Sequence, residues 1–172
     1  MAGGVVALVC EGQPPTANNV LRPAGEAFLT RVREAFAATG APLGHGLLYG
    51  VVYWFVRSYK RHTHPDADDL SKKVWDALEG LAYPDDKQVR LRLAAVVDLG
   101  VAGGVEALPL EQLDLSGAPE AVPAALGRLL AGPDIPGDPR TRSFTYIEFG
   151  PLGTGMIRFN LAPQPAATEE GR

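Results

Sequence analysis

Four side chains that could do chemistry together lie between residues 66 and 86. Asp66 and Asp68 stand two positions apart ahead of a helical pattern, Lys72 follows Asp68 by four positions, and Asp86 ends a Pro-Asp-Asp turn. In an extended segment, the Asp66 and Asp68 side chains point to one side with Cα atoms roughly 7 Å apart, a spacing that lets two carboxylates share metal ions. If Asp68 begins a helix, Lys72 lies on the same side. The pattern permits a carboxylate metal site with an adjacent ammonium group.

An interpretation without a metal stays open for the same acids. Asp66, Asp68 or Asp69 can cap a helix N-terminus, where negative charge suits the helix dipole, and Pro-Asp-Asp is typical of a solvated turn. The turn follows the far end of the helix, so a shared site requires the fold to return Asp86 to Asp66. We expect a strand that starts after Asp86 to do this by pairing beside the strand that ends near residue 60.

The helix between the acids is amphipathic. Apolar residues recur at i, i+4, i+7, i+8 and i+11 from Leu70 to Leu81, which indicates one buried face, and Gly80 is a suitable C-terminal stop. The same rules predict further elements on either side. These are strands over 5–9, 47–59 and 88–99 and a helix over 24–39.

The strand over 47–59 is apolar almost throughout. Such a run is typical of a central strand covered on both faces, or of one whose second face lies in a dimer interface. Trp54 and Phe55 could serve either arrangement. Its last residues point a basic group, Arg57, towards the acids.

Residues 100–143 are rich in Gly, Pro and Ala and interrupt this pattern. They predict an insertion that could cover the site, contact a partner or decorate an edge of the sheet. The elements expected in and after it are a short helix over 120–131, two closing strands over 143–149 and 156–161 joined by a hairpin loop, and a disordered tail over 164–172.

These elements predict an α+β fold. A mixed sheet of four or five strands is expected to pack with two main helices, with the insertion ahead of the last strands. The length of 172 residues fits a single domain, here taken as 1–163.

The amino-acid composition limits which cellular compartment and which kinds of partner are expected. Cys10 is the only cysteine, so no intrachain disulfide can form and a reducing cytoplasm is expected. The longest apolar run, over 47–56, is too short to span a bilayer. A net charge of −4 is unusual for a protein that binds nucleic acid. A local basic face remains available, however, in Arg57, Lys60, Arg61, Lys72 and Lys73.

Three motifs in this region resemble those of the RusA family of Holliday-junction resolvases. DADDLSK from residue 66 is similar to the family's Asp-x-Asp-Asn-Leu-x-Lys run, DALEG from residue 76 to its helix, and DDKQV from residue 85 to its Asp-Asp-x-Gln-Val turn. Asp69 stands where the family usually has Asn. QPPTANN from residue 13 also looks like the family's Pro-Pro-Ser-x-Asn loop. The resemblance covers roughly residues 5–98 and the last strand, and does not cover about 100–143.

The resemblance implies a homodimeric endodeoxyribonuclease that cuts branched DNA, the four-way junction above all, by paired nicks. Asp66, Asp68 and Asp86 would hold one or two Mg²⁺ or Mn²⁺ ions. Lys72 would lie beside the scissile phosphate. Asp85 would replace Asp86 as a ligand if the turn is rotated by one residue. Oxygen ligands suit such hard ions. Four basic residues are candidates for DNA backbone contacts: Arg57, Lys60, Arg61 and Lys73.

Alternatives of other classes remain. His62 and His64 could join the metal site, although a polar segment that contacts phosphate or water is the simpler interpretation. The protein could be a branched-DNA-binding module without catalysis, a related metal-dependent nuclease with another DNA substrate, a hydrolase acting on nucleotides, or an interaction protein whose acids are only caps and turn formers.

Overall fold

A computed structural model describes residues 4–16, 22–57, 65–100, 113–132, 143–153, 156–159 and 161. Four strands and three α-helices are formed within these ranges, together with a 3-10 turn over Asp86–Gln88. In chain order they are β1 (Val6–Glu11), α1 (Pro23–Ala38), β2 (Leu48–Val56), α2 (Ala67–Leu78), β3 (Val89–Asp98), α3 (Ala121–Ala131) and β4 (Ser143–Pro151).

The four strands form one mixed sheet in the order β1-β4-β2-β3. β4 pairs antiparallel with both β1 and β2, whereas β2 and β3 are parallel. A parallel pair needs a crossover connection, and α2 supplies it. The predicted α+β fold with a mixed sheet is confirmed, with four strands and with α3 as a third helix.

α1 and α2 cover one face of the sheet. Phe28 and Val32 of α1 and Val74 and Trp75 of α2 are buried there against β1, β2 and β4. Trp75 lies so close to the strand that a Cβ added at Gly50 would stand 2.5 Å from its Cη2 atom. The absence of a side chain at Gly50 therefore lets the indole of α2 reach the backbone of β2.

The second face of the sheet is covered by α3 and by the chain near Phe159. Tyr53 and Phe55 of β2 pack there with Phe159 and with Leu126 of α3. β2 is buried along its whole length, and Trp54 also belongs to the core. Trp54 and Phe55 therefore lie in the core, which is one of the two arrangements expected for them. In the described part of the insertion, residues 113–132, α3 covers this second face of the sheet.

The closing strand expected over 156–161 is wrong for the residues described there. Residues 156–159 and 161 are not in a strand, and Ile157 has a positive φ of 59°. The amide of Arg158 donates to the carboxylate of Glu148 at 2.9 Å, so a side chain takes the place of a strand partner. Glu148 is fully buried and also accepts hydrogen bonds from the hydroxyls of Tyr49 and Tyr146.

None of the described helices is both long and apolar enough to cross a membrane.

Candidate functional site

The first group of acids lies at the N-terminus of α2. Asp66 is the N-cap residue, with extended backbone angles (φ −73°, ψ 162°), but its side chain makes no capping hydrogen bond to the helix. Asp66 and Asp68 are exposed, and so is Lys72, one turn further along α2. The interpretation of Asp66 as a side-chain cap is therefore not supported, and its carboxylate remains available to a ligand.

A second group of acids lies past the other end of α2. Glu79, Asp85 and Asp86 each offer a carboxylate oxygen, and these oxygens lie within 4.8 Å of one another. The Asp85 carboxylate accepts a hydrogen bond from the amide of Lys87 at 2.9 Å and so shapes the turn. Asp86 forms an ion pair with Arg92 at 3.0 Å. Three oxygen donors this close together suit a hard divalent cation.

The two groups of acids lie at opposite ends of the sheet. β2 and β3 run parallel, with Leu48 opposite Val89 and Val56 opposite Asp98. Asp86 therefore lies where β2 begins, whereas Asp66 lies at the start of the helix that follows β2. α2 has 12 residues and a length of about 18 Å.

The expected return of Asp86 to Asp66 through pairing of β3 with β2 is therefore wrong within one chain. The strands do pair, but a parallel strand starts at the same end as its neighbour. Among the described residues, the one group of three or more acids close enough to bind a metal together is Glu79, Asp85 and Asp86. Asp66 and Asp68 are not part of it.

The carboxyl end of the sheet is where β1, β2 and β3 finish, and it holds Asp66, Asp68 and Lys72. The amino end is where β2 and β3 start, and it holds Glu79, Asp85 and Asp86.

The carboxyl end of the sheet has several features that could bind a phosphate group. α1 and α2 both begin there, and helix N-termini carry partial positive charge. The loop over 12–15 and the start of α1 line a cleft of about 220 Å³, together with Arg22 and Arg31. Arg31 also donates to the carbonyl of Glu11 at 3.1 Å, which ties α1 to β1. The Pro14-Pro15 loop thus lies beside two arginines, while Asn18 and Asn19 are outside the described residues.

The basic residues predicted to contact DNA have different surroundings. Nη1 of Arg57 donates to the carbonyls of Leu129 and Gly132 at 3.1 and 2.7 Å, so this side chain holds the C-terminal end of α3. Lys73 pairs with Asp76 at 3.3 Å. Lys60 and Arg61 are outside the described residues, as are His62 and His64.

Sequence reasoning missed Glu79 and the role of Arg92. Glu79 follows the last turn of α2, where a negative charge is disfavoured by the helix dipole. That unfavourable position was the one signal in the sequence by which Glu79 could have been found. Arg92 lies in the strand predicted over 88–99, but the sequence does not show that its guanidinium folds back onto Asp86.

Comparisons with known proteins agree with the motifs. A family model described as endodeoxyribonuclease RusA matches residues 27–103. The match runs from α1 to just beyond β3 and includes both groups of acids. No curated protein matches the chain significantly.

Proposed function

The chain belongs, through residues 27–103, to the RusA family of endodeoxyribonucleases, and we propose that it is a divalent-metal-dependent enzyme that resolves four-way DNA junctions by paired nicks. Family membership implies Holliday junction endodeoxyribonuclease activity. The metal dependence, the paired nicks and a homodimer are the finer parts of the proposal.

The observation that carries the proposal is the set of exposed side chains at the start of α2. Asp66 lies in extended backbone and makes no capping hydrogen bond, and Asp68 lies in the first turn of α2. Lys72 is exposed one turn further along the helix. A structural cap would engage its carboxylate with backbone amides. Two exposed carboxylates beside an exposed ammonium group suit the binding of a cation and a phosphate.

Asp66 and Asp68 of one copy and Asp86 of the other copy of the proposed homodimer are the proposed ligands of Mg²⁺ or Mn²⁺, because Asp66 and Asp86 lie at opposite ends of α2 within one chain. Asp85 and Glu79 are close enough to Asp86 to contribute. All of these donors are oxygens, as hard divalent cations require. A bound ion would supply an activated water and offset the charge of the pentavalent phosphate. Lys72 would place its ammonium group on a non-bridging phosphate oxygen, where negative charge develops.

The carboxyl end is the proposed DNA-binding face. Arg22 and Arg31 line a cleft beside the start of α1, and α2 begins at the same end. Backbone contacts of this kind position DNA without reading its sequence, which suits an enzyme selective for branched structure. They also explain how a chain with a net charge of −4 could bind DNA. Lys60 and Arg61 remain predictions, whereas Lys73, also predicted to contact DNA, pairs with Asp76 within α2.

The proposed compartment is a reducing cytoplasm. Cys10, the single cysteine of the chain, is a buried free thiol. The proposed roles are DNA recombination and repair.

The deciding experiment is cleavage of a synthetic four-way junction in Mg²⁺ by the wild type and by Asp68→Asn. The proposal expects symmetric nicks from the wild type and at least a hundredfold lower rate from the variant, because one metal ligand is weakened. Binding of the junction in EDTA should persist in both proteins. The exposed position of Asp68 leaves the fold intact in the variant, which circular dichroism checks.

Other outcomes distinguish the alternatives. Binding without cleavage in Mg²⁺ or Mn²⁺ would indicate a branched-DNA-binding module. Cleavage of flaps or single strands with the junction left intact would indicate a related nuclease with another substrate. A wild type that neither binds nor cuts any DNA would overturn the proposal.

A further inference from the structure

A β-bulge at the start of β3 changes which side chains of that strand face the helices. Leu48 of β2 lies opposite Val89 of β3. The next residue of β2, Tyr49, lies opposite Leu91, so Arg90 is an extra residue on β3. Because side chains alternate between the two faces of a sheet, one extra residue moves every later side chain of the strand to the opposite face.

The burial of β3 agrees with this shift. Val89, before the bulge, packs in the core beneath α1 and α2, whereas Leu91, after it, packs against the core of the second face. Arg92 lies opposite Gly50, where a Cβ would point at the indole of α2. The bulge therefore places Arg92 on the α2 side of the sheet. Uninterrupted alternation from Val89 would have placed Arg92 on the second face.

On the α2 side, the guanidinium of Arg92 reaches back to the turn that precedes β3. Its Nη2 donates to the carbonyl of Asp86 at 2.6 Å and to Oδ2 of the Asp86 carboxylate at 3.0 Å. Its Nε donates to the carbonyl of Val89 at 3.2 Å. Because the guanidinium is planar and rigid, these three bonds fix the backbone and the side chain of Asp86 together.

Other bonds fix the backbone of the same turn. The Asp85 carboxylate accepts a hydrogen bond from the amide two residues on, at 2.9 Å, and the amide of Asp85 donates to the side chain of Gln88 at 3.2 Å. Gln88 also donates to the carbonyl of Gly46 at 2.9 Å, which ties the turn to the segment before β2. These three bonds leave the Asp86 carboxylate itself unheld. Arg92 supplies the bond to that carboxylate.

We propose that Arg92 is a positioning residue for the metal site, an inference that rests on the proposed function of Asp86 as a metal ligand. The guanidinium holds one oxygen of the Asp86 carboxylate and leaves the other for a cation, beside the carboxylates of Glu79 and Asp85. A carboxylate that binds a metal is itself usually hydrogen-bonded, and this outer bond sets its direction. The bulge at Arg90 brings Arg92 to the required face.

Arg92 has two opposing effects on a bound cation. Its positive charge repels the ion, whereas its hydrogen bonds direct the ligand towards the ion. The repulsion is small, because the Arg92 and Asp86 side chains are 37 % and 34 % exposed and exposed charges are screened by water and salt. Loss of an outer hydrogen bond to a metal ligand costs about 10–100-fold in metal affinity or activity. Removal of Arg92 should therefore weaken metal binding.

Binding of Mn²⁺ tests the proposal without any cleavage. Electron paramagnetic resonance measures free Mn²⁺ in titrations of the wild type and of each variant. Arg92→Met should raise the dissociation constant of Mn²⁺ about tenfold or more. Arg92→Lys keeps the charge but lacks the planar fork of donors, so Mn²⁺ binding should be weakened in this variant also.

Arg90→Met is the matched control. It removes the same charge two residues away on β3, from an exposed side chain that makes none of the three bonds. The dissociation constant of Mn²⁺ should change by less than about threefold, because an exposed charge contributes little. Thermal unfolding of all variants checks that the fold persists.

The outcomes separate this proposal from the proposed function. An unchanged or lower dissociation constant in Arg92→Met, or full Mn²⁺ affinity in Arg92→Lys, would overturn the positioning role of Arg92. A wild type that binds no Mn²⁺, or an Asp86→Asn variant that binds it as tightly as the wild type, would instead overturn the role of Asp86 as a ligand.

Junction cleavage across a range of Mg²⁺ concentrations gives a second measurement. Arg92→Met should need about tenfold more Mg²⁺ for its half-maximal rate, while its rate at saturating Mg²⁺ stays within about threefold of the wild type, because every ligand is still present. A residue that only joins the turn to β3 would lower the unfolding temperature and leave the Mg²⁺ dependence unchanged. Weaker junction binding in EDTA with a normal Mg²⁺ dependence would indicate a DNA contact. Either of these two results would overturn the proposal.

Discussion

Lys72 and Lys73 are neighbours on α2 with different surroundings. Lys72 is exposed at the start of the helix, whereas the ammonium group of Lys73 lies 3.3 Å from the Asp76 carboxylate. Lys72 therefore exposes its ammonium group to a phosphate one helical turn from Asp68, whereas Lys73 already has an anionic partner within its own helix.

The first prediction contrasts these two lysines. Lys72→Met should lower the rate of junction cleavage by about a hundredfold, because one charge that stabilises the transition state is lost. Lys73→Met should change the rate by less than about threefold, since an exposed ion pair contributes little. Single-turnover cleavage at saturating protein measures both. Equal losses in the two variants would remove Lys72 from the proposed chemistry.

Cys10 provides a prediction about pH. Burial raises the pKa of the Cys10 thiol to about 11 from its ordinary value of 9.0. The folded protein therefore keeps its proton where the unfolded chain has lost it, and the free energy of unfolding falls as pH rises from about 9 towards 11. The loss approaches about 1.4 kcal/mol per pH unit for this group.

Urea denaturation at pH 8 and pH 10 measures this effect, with Cys10→Ala as the control that lacks the thiol. The wild type should lose more stability than the control between the two pH values. Slow alkylation of the native protein by iodoacetamide at pH 8, and rapid alkylation in urea, should accompany it. An equal loss in both proteins would show that other groups cause the alkaline destabilisation.

For the helices and strands, the periodicity of apolar residues predicted which face is buried. The repeat from Leu70 predicted the buried side of α2 correctly as far as Leu78, whereas Leu81 lies beyond the helix and is exposed. The apolar run over 47–56 predicted a central strand covered on both faces or with one face in a dimer interface, and β2 is buried within the chain along its whole length. These patterns follow from burial, because the hydrophobicity of each residue indicates whether that residue is buried. The sequence therefore predicted most elements and the α+β class.

Strand direction was beyond the reach of the same patterns. Alternation along β3 is identical whether β3 runs parallel or antiparallel to β2, so the sequence did not show that Asp86 lies far from Asp66. The missing strand over 156–161 has a similar cause. The bonds from Tyr49, Tyr146 and the amide of Arg158 to Glu148 join distant parts of the chain, and no local pattern reveals them.

The contact between α2 and β2 gives a prediction at this scale. Gly50→Ala should destabilise the fold by about 1–3 kcal/mol, because the new methyl group would press on the buried Trp75 ring. Gly127→Ala in α3 is the matched control, since a Cβ there meets nothing within 4 Å, and it should stabilise by up to about 1 kcal/mol. Thermal unfolding of both variants measures this. A neutral Gly50→Ala would mean that Trp75 can move aside.

Activity should depend on protein concentration, because the proposed enzyme is a homodimer. A single chain separates Asp66 from Asp86, so dilution below the dissociation constant of the dimer should lower the cleavage rate per chain while the fold persists. Leu81 is 44 % exposed just beyond α2, on the side of the amino-end acids. In the proposed homodimer the Asp86 end of α2 meets the second copy, so we expect Leu81 to become covered.

Leu81→Ser should therefore raise the dissociation constant of the dimer about tenfold or more, because burial of a leucine contributes about 1.5–3 kcal/mol. Leu152→Ser is the matched control: Leu152 is 38 % exposed but follows β4, inside the sheet order and away from the β3 edge. Sedimentation and junction cleavage across one dilution series measure both quantities. Activity of Leu81→Ser should return at high protein concentration, because only assembly is weakened. A dissociation constant that Leu152→Ser raises and Leu81→Ser leaves unchanged would place the interface away from this end of α2.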